Sequence, residues 1–179
     1  MKKLFTAIIV VVLLSSFNSF AQIKTTINLG LQFPTSDFKN DVNNGYGASL
    51  SFDYSIPFSP VSLAFSAGYN RWNFNDNNPY SKGYYYYNLP LMAGIRYFSG
   101  GSNIDTYLGG DVGLAISANN IPGSTSSSNF IYSPVLGVRY KFSPIGLVAL
   151  DVNVRYNVIR ASGSTTTWFG VNAGLSFGL

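Results

Sequence analysis

Apolar and polar residues alternate along the last segment of the chain, TTTWFGVNAGLSFGL, which spans Thr165–Leu179. Every second position is apolar: Phe169, Val171, Ala173, Leu175, Phe177 and Leu179. The positions between them are small or polar after the first: Trp168, Gly170, Asn172, Gly174, Ser176 and Gly178. Successive residues of a β-strand point to opposite faces, so this pattern predicts a strand with one apolar face and one small, polar face.

Seven earlier segments alternate in the same way, within 22–33, 45–56, 61–70, 84–97, 104–117, 130–142 and 148–158. Longer polar connections (34–44, 75–83, 119–129 and 160–164) alternate with short turns (57–60, 99–103 and 143–146). This pattern predicts an all-β fold, an eight-stranded antiparallel up-and-down transmembrane β-barrel whose last strand pairs with the first, Ile23–Phe33. Pro90 and Pro134 lack the backbone N–H, so a bulge or a locally broken hydrogen bond is expected at each.

The two faces of the strands decide between a membrane barrel and a soluble one, because a soluble eight-stranded barrel also alternates. An eight-stranded barrel has an interior just wide enough for side chains to fill, and the roughly forty bulky residues of the apolar face would not fit there. The apolar face is therefore expected to meet lipid, with tyrosines near its edges as interfacial girdles. The candidate girdle residues are Tyr46, Tyr54, Tyr69, Tyr97, Tyr140 and Tyr156.

The polar face carries nine charged residues: Lys24, Asp53, Arg96, Asp105, Asp111, Arg139, Lys141, Asp151 and Arg155. Inside a barrel these charges are expected to pair, because an unpaired charge in a water-poor interior costs several kcal/mol. Five of them lie near the short-turn ends of their strands and are expected to meet at one level: Arg96, Asp105, Arg139, Lys141 and Asp151. Asp53, Asp111 and Arg155 are expected further along their strands. We interpret this lumen ion network as a structural plug, and a narrow ion path or gate is the alternative.

The N-terminus has the layout of a secretory signal peptide, with Lys2 and Lys3, an apolar core at Leu4–Leu14 and small residues up to Ala21. We expect cleavage after Ala21, so that residues 1–21 are the signal peptide and residues 22–179 the barrel domain. An uncleaved anchor is the alternative, but an apolar core of roughly 11 residues is short for a membrane span. Export would place the short turns in the periplasm and four longer loops outside the cell.

Composition narrows the chemistry. The 179 residues include no Cys, no His and no Glu, so neither a disulfide framework nor a His-based catalytic site is expected. We therefore expect no enzyme activity, no cofactor and no metal centre, although loop residues Asp37, Asp41 and Asp76 are weak candidates for Ca²⁺. The net charge of the whole chain is +4, and cleavage of the signal peptide removes Lys2 and Lys3. The remaining net charge of about +2 is too small to indicate nucleic-acid binding.

Two segments resemble a known family: NLPLMAGIRYF (Asn88–Phe98) and the hairpin GVRYKFSPIGLVALDVNVRYNVI (Gly137–Ile159). They are similar to small outer-membrane β-barrel proteins of the OmpA/OmpX type, and more narrowly to the porin-family "outer membrane protein β-barrel domain" proteins common in Bacteroidetes. The resemblance implies insertion by the outer-membrane barrel assembly machinery. It also implies an insertion signal in the apolar side chains of the final strand: Phe169, Leu175, Phe177 and Leu179. Leu179 stands where such proteins often end on an aromatic residue.

The sequence as a whole therefore indicates a non-enzymatic integral protein of the cell outer membrane, surrounded by outer-membrane lipid and expected to be a monomer. Its role is expected to be structural or to lie in surface interaction through the loops. The alternatives are a narrow porin-like channel or carrier for ions or small solutes, and a soluble periplasmic barrel. The sequence names no ligand and no loop partner.

Overall fold

The computed structural model describes residues 23–75, 83–142, 147–161 and 163–178. These residues form eight strands and one four-residue helix. The strands are β1 (Ile23–Thr35), β2 (Gly45–Ser55), β3 (Val61–Asn73), β4 (Tyr85–Phe98), β5 (Ile104–Asn119), β6 (Ser127–Lys141), β7 (Val148–Ala161) and β8 (Ser164–Gly178), and helix α1 (Phe38–Asp41) follows β1. The predicted signal peptide (1–21), the predicted turn at 143–146 and Leu179 lie outside the described residues.

Each strand pairs antiparallel with its neighbours in the sequence, and β8 pairs with β1, so the sheet closes into a barrel. A path of paired residues that starts at Thr25 runs through all eight strands and returns to β1 at Thr35, ten residues further along. A shift of this size requires strands that are strongly tilted against the barrel axis. The fold class predicted from the alternation is confirmed, including the pairing of the first and last strands.

The apolar face of the strands points outward. Leu29 is 67% exposed and Leu136 is 63% exposed, whereas Trp168, on the other face of β8, is fully buried. The predicted girdle tyrosines also face outward, in two groups. Tyr54, Tyr97 and Tyr140 lie near the end of the barrel that carries the turns 56–60, 99–103 and 142–147, which we call the turn end. Tyr46, Tyr69 and Tyr156 lie towards the opposite end, the loop end.

The prediction of a fourth long loop is wrong. Ala161 and Ser164 are paired residues of β7 and β8, so only residues 162 and 163 join the two strands. Gly163 has a φ of +84°, a left-handed conformation that suits glycine in a two-residue hairpin turn. The other three connections at the loop end are longer: 36–44, 74–84 and 120–126.

The two strand prolines break the ladder without a bulge. The β3–β4 pairing stops at Ala67–Leu91 and resumes at Asn70–Asn88 in the same register, on either side of Pro90. The β6–β7 pairing is interrupted in the same way at Pro134. Of the two predicted alternatives, the register therefore shows a local interruption of the pairing and no bulge. Among the described residues, no helix is long and apolar enough to span a membrane.

Candidate functional site

The lumen near the turn end is crossed by Arg139 of β6. Its Nη2 donates to Oδ2 of Asp53 on β2 at 2.8 Å, and its Nε donates to Oδ2 of Asp151 on β7 at 3.2 Å. The hydroxyl of Tyr107 and the amide of Asn153 donate to the other oxygen of Asp151, each at 2.9 Å. Arg139, Asp53 and Asp151 are all at least nine-tenths buried, and together they carry one net negative charge.

A second ionic group has the opposite composition. Asp111 of β5 accepts two bonds from the guanidinium of Arg96 on β4, at 2.5 and 2.7 Å, and a third at 2.5 Å from Arg155 on β7. Two arginines thus share one carboxylate, which leaves one net positive charge beside the net negative charge of the first group. Together the two groups hold three arginines and three aspartates and carry no net charge. We call the six charged residues of the two groups the ion layer: Asp53, Asp111, Asp151, Arg96, Arg139 and Arg155.

The two remaining lysines of the predicted network lie closer to the turns. Lys141 Nζ is 2.7 Å from Oδ2 of Asp105, and it also donates to the backbone oxygen of Gly101 at 3.1 Å. Lys24 forms no salt bridge with the residues that the structure describes, and its Nζ lies 5.9 Å from the centroid of the Phe98 ring. Lys141 and Asp105 therefore form a separate pair that ties the 99–103 turn to β6.

The predicted levels of the charges need two corrections. Asp53, expected further along its strand, bonds Arg139 on the level near the turns. Arg96, expected near the turns, extends its guanidinium to Asp111, which is also bonded by Arg155. Asp53 is two residues from the turn-side end of β2, as Arg139 is from that of β6, so the two lie at similar distances from their turns. Asp111 pairs directly with Gly94, two residues before Arg96, and the long side chain of Arg96 spans that step.

Lumen-facing glycines provide the space for these side chains. A Cβ at Gly94 would collide with Oδ1 of Asp111, and a Cβ at Gly137 would collide with the Tyr107 ring. The small residues of the polar face are thus positioned opposite the large charged ones, and the interior of the barrel is filled.

The half of the lumen towards the loop end is closed by aromatic side chains, of which only Trp168 lies on a face that the sequence predicts to line the lumen. We call Trp72, Trp168, Phe38 and Tyr86 the aromatic plug. The rings of Trp72 and Trp168 pack edge to face with centroids 5.2 Å apart, and α1 places Phe38 over them, 5.3 Å from Trp72 and 5.4 Å from Tyr86. The buried apolar residues around the plug are Val42, Met92, Ala115, Ile131 and Ile159.

A continuous chain of hydrogen bonds joins the plug to the ion layer. Both indoles donate to Gln32, Trp72 to its backbone oxygen at 3.2 Å and Trp168 to Oε1 at 3.0 Å. Gln32 donates to Asn172 at 3.1 Å, and Asn172 donates to Asn153 at 3.0 Å, which in turn donates to Asp151. The two closures are therefore one connected polar and aromatic structure, which fixes the side chains against one another.

A small space lies inside the barrel between the two closures. A cavity of about 30 Å³, lined among others by Gln32, Asn70, Arg155 and Asn172, lies between the plug and the ion layer. It has room for a water molecule but not for a hydrated ion. The mouth at the loop end is much larger, about 810 Å³, with Phe38 and Tyr86 at its base and Asp37, Asp41 and hydroxyl residues of β8 around it.

Two of the three candidate calcium ligands, Asp37 and Asp41, lie within the described residues, at the ends of α1. Asp37 lies just before α1 and Asp41 is its last residue, and Asp76 lies outside the described residues. Within the described part of the chain, no three acidic, histidine or cysteine side chains are grouped as metal ligands.

Comparison with known proteins identifies the family. The family described as "Outer membrane protein beta-barrel domain" matches residues 7–177, and the chain belongs to it. No curated protein matches the sequence at a significant level. The barrel is thus a small outer-membrane β-barrel of the OmpA/OmpX type, located in the cell outer membrane.

Solved structures share this fold at low sequence identity. Neisserial surface protein A superposes with a TM-score of 0.67 at 19% identity, covering 88% of this chain and 97% of that one. Ail of Yersinia pestis, solved with the heparin analogue sucrose octasulfate, gives 0.56 at 15% identity, covering 87% and 99%. The outer membrane enzyme PagL gives 0.52 at 14% identity, also covering 87% and 99%. At these identities the likeness extends to the fold alone.

Proposed function

We propose that this protein is a non-enzymatic, non-conducting outer-membrane barrel whose role lies in its surface at the loop end. The observation that carries the proposal is the double closure of the lumen, by the ion layer and by the aromatic plug. Arg139 joins strands on opposite sides of the barrel, so it occupies the lumen axis rather than lining a wall. A solute would have to break both closures in turn to pass.

The chemistry of the chain supports a non-enzymatic role. PagL shows that this fold also carries enzymes, so the fold does not decide the question. Here the sequence contains no His, Cys or Glu, and the lumen carboxylates of the ion layer are all bonded to arginine. A carboxylate held by arginine is a weak base and a poor nucleophile, because the ion pair stabilises its charged form.

In the same proposal the turn end faces the periplasm and the loop end faces outward, as export through a signal peptide would require. Of the described residues, this orientation places α1, the connection 120–126 and the open mouth at the outer surface. In this orientation the mouth presents an aromatic base and a hydroxyl-rich wall to the outside, a surface suited to contacts with other molecules. The assembly role of Phe169, Leu175 and Phe177, which face outward on β8, also stays a proposal, as does a monomeric state.

A narrow channel is the second candidate, and one observation favours it. Polar side chains run without a break from Asp151 through Asn153 and Asn172 to Gln32. If the aromatic plug moved aside, this row would become a polar path towards the ion layer.

Osmotic swelling of liposomes carrying the purified protein tests the proposal. Vesicles with the wild type are expected to swell in glycerol or urea no faster than protein-free vesicles. Trp168→Ala is expected to stay closed because the ion layer remains, whereas Trp168→Ala combined with Arg139→Ala is expected to admit glycerol. Each variant is first checked for the folded, heat-modifiable band on gels. Rapid swelling with the folded wild type would contradict the proposal and favour the channel.

A further inference from the structure

The outward face of the barrel wall is almost free of charge. Among the described strand residues that face outward, only Arg71 of β3 and Arg160 of β7 are charged, and both lie at the loop end. Arg71 is two residues from the end of its strand, at the edge of the apolar surface that meets the membrane. A cation at this position lies at the level of lipid headgroups.

Arg71 lies within a patch of four tyrosines. Tyr46 is its direct partner on β2 and Tyr87 its direct partner on β4, and Tyr69 lies two residues before it on β3. The guanidinium carbon lies 3.7 Å from the centroid of the Tyr85 ring. The rings of Tyr69 and Tyr87 are 5.9 Å apart and those of Tyr85 and Tyr87 are 6.0 Å apart, so the tyrosines form a continuous surface around the arginine.

The guanidinium is available to a ligand. Arg71 forms no salt bridge with the described residues. Its Nε is buried, so the two Nη groups are the donors that a ligand can reach. Stacking on Tyr85 holds the planar fork in place without using its N–H donors, which is an arrangement suited to binding a phosphate with two bonds. Among the described residues, the guanidinium of Arg160 lies over the ring of Tyr132, at a longer distance of 5.8 Å.

An apolar groove lies below this patch on the same strands. It has a volume of about 510 Å³, with small residues such as Ala67 and Ala93 at its base and Phe52, Phe65 and Leu91 among its walls. Ala67 is four residues from Arg71 along β3, a distance of roughly 13 Å towards the membrane centre. The groove is therefore placed where the acyl chain of a lipid would lie if its headgroup were at Arg71.

We propose that β2, β3 and β4 form a binding site for a membrane lipid that bears a phosphate group. Arg71 binds the phosphate, the hydroxyls of the surrounding tyrosines contact the headgroup, and one acyl chain lies in the groove over Ala67 and Ala93. The proposal depends on the outer-membrane location but not on whether the lumen conducts. Lipid retention and liposome swelling therefore test separate claims and fail separately.

Native mass spectrometry of the purified barrel in detergent tests this site, with phosphatidic acid, diacylglycerol and glycerol 3-phosphate as probes. The wild type is expected to retain phosphatidic acid, but neither diacylglycerol, which lacks the phosphate, nor glycerol 3-phosphate, which lacks the chains. Arg71→Gln is expected to lower retention of phosphatidic acid about tenfold, which corresponds to the loss of one charge-assisted contact. Ala93→Phe, which fills the groove, is expected to lower retention of long-chain phosphatidic acid while leaving binding of a dihexanoyl form unchanged.

Arg160→Gln is the matched control, because it removes the same charge at the same end of the barrel. It is expected to change retention by less than about twofold. Retention by Arg71→Gln at the wild-type level would overturn the proposal. Equal losses in Arg71→Gln and Arg160→Gln would also overturn it, since they would indicate attraction by surface charge only, and strong retention of glycerol 3-phosphate would indicate an anion site without a lipid. All variants are compared only after their heat-modifiable folded band is shown.

Discussion

Arg139 Nη2 lies 2.8 Å from Asp53 Oδ2, although the two residues are 86 positions apart and belong to strands on opposite sides of the barrel. A contact between β2 and β6 can form only through the lumen axis. The interior of this protein is therefore not a lined tube but a packed core made of ions at one end and aromatic rings at the other. Its stability is expected to depend on these contacts, as that of a soluble protein depends on its apolar core.

Loss of Arg139 is expected to be strongly destabilising. Arg139→Met leaves Asp53 and Asp151 buried without their shared cation, and removing one partner of a buried pair costs about 3–5 kcal/mol. Asp53→Asn is expected to cost about 1 kcal/mol, since Arg139 keeps Asp151 and an amide oxygen can still accept its bond. Urea unfolding in lipid vesicles measures both. Equal effects of the two substitutions would contradict the central position of Arg139.

The group around Asp111 makes an asymmetric prediction. Asp111→Asn leaves Arg96 and Arg155 without a carboxylate and should lower the free energy of unfolding by about 3 kcal/mol or more. Arg155→Gln leaves the two-bond pair of Arg96 and Asp111 intact, and a change of less than about 1 kcal/mol is expected. The temperature at which the folded band disappears on gels ranks the two variants. A larger effect of Arg155→Gln than of Asp111→Asn would contradict the arrangement in which Arg96 is the main partner of Asp111 and Arg155 a secondary one.

Space opposite Tyr107 is expected to be essential. Gly137→Ala places a methyl group against the Tyr107 ring, which must move away from Asp151, at a cost of about 1–3 kcal/mol. Gly110→Ala is the matched control, because a Cβ there meets no atom within 4 Å. Combining Gly137→Ala with Tyr107→Leu should cost less than the sum of the two single changes. Strict additivity, measured by urea unfolding, would exclude a steric conflict between the two positions.

The orientation of the barrel can be tested with single cysteines, since the sequence has none of its own. Ser124→Cys lies in the connection between β5 and β6, and Ser102→Cys lies in the turn between β4 and β5, both exposed. A membrane-impermeant maleimide is expected to label Ser124→Cys on intact cells and Ser102→Cys only after the outer membrane is opened. The reverse pattern would invert the proposed orientation.

The alternation of apolar and polar residues predicted the wall of the barrel well, because the sequence of each strand shows by itself which side chains face outward. The strand count, the closing pair of β1 and β8, and the outward tyrosines all follow from it. The same phase, continued to the ends of the strands, would also have placed Ile131, Ile159 and Trp72 in the lumen, since they share their faces with Arg139, Asp151 and Ser66. Trp72 and Ile159 lie beyond the predicted ends of their strands, at residues 70 and 158, so the alternation was not followed as far as these residues.

Contacts across the lumen could not be predicted in the same way. Which ions meet depends on the shear of the barrel, and the shear is a property of all eight pairings together. Asp53 and Arg139 lie on β2 and β6, and the alternation within either strand does not indicate that the two meet across the lumen. The position of Phe38 depends on how α1 folds into the mouth, which no periodicity records. The composition of residues 160–164 predicts a longer loop between β7 and β8, because Ser and Gly are common both in loops and in two-residue turns.

Single-channel recording in planar bilayers tests the closed lumen most directly. The folded wild type is expected to produce no reproducible openings in potassium chloride, and Arg96→Ala or Arg155→Ala to change nothing, since Arg139 and the aromatic plug remain in place. Reproducible openings of the wild type whose conductance changes with Arg96→Ala or Arg155→Ala would show that ions pass through the ion layer. That result would contradict the account and assign the protein to the channels.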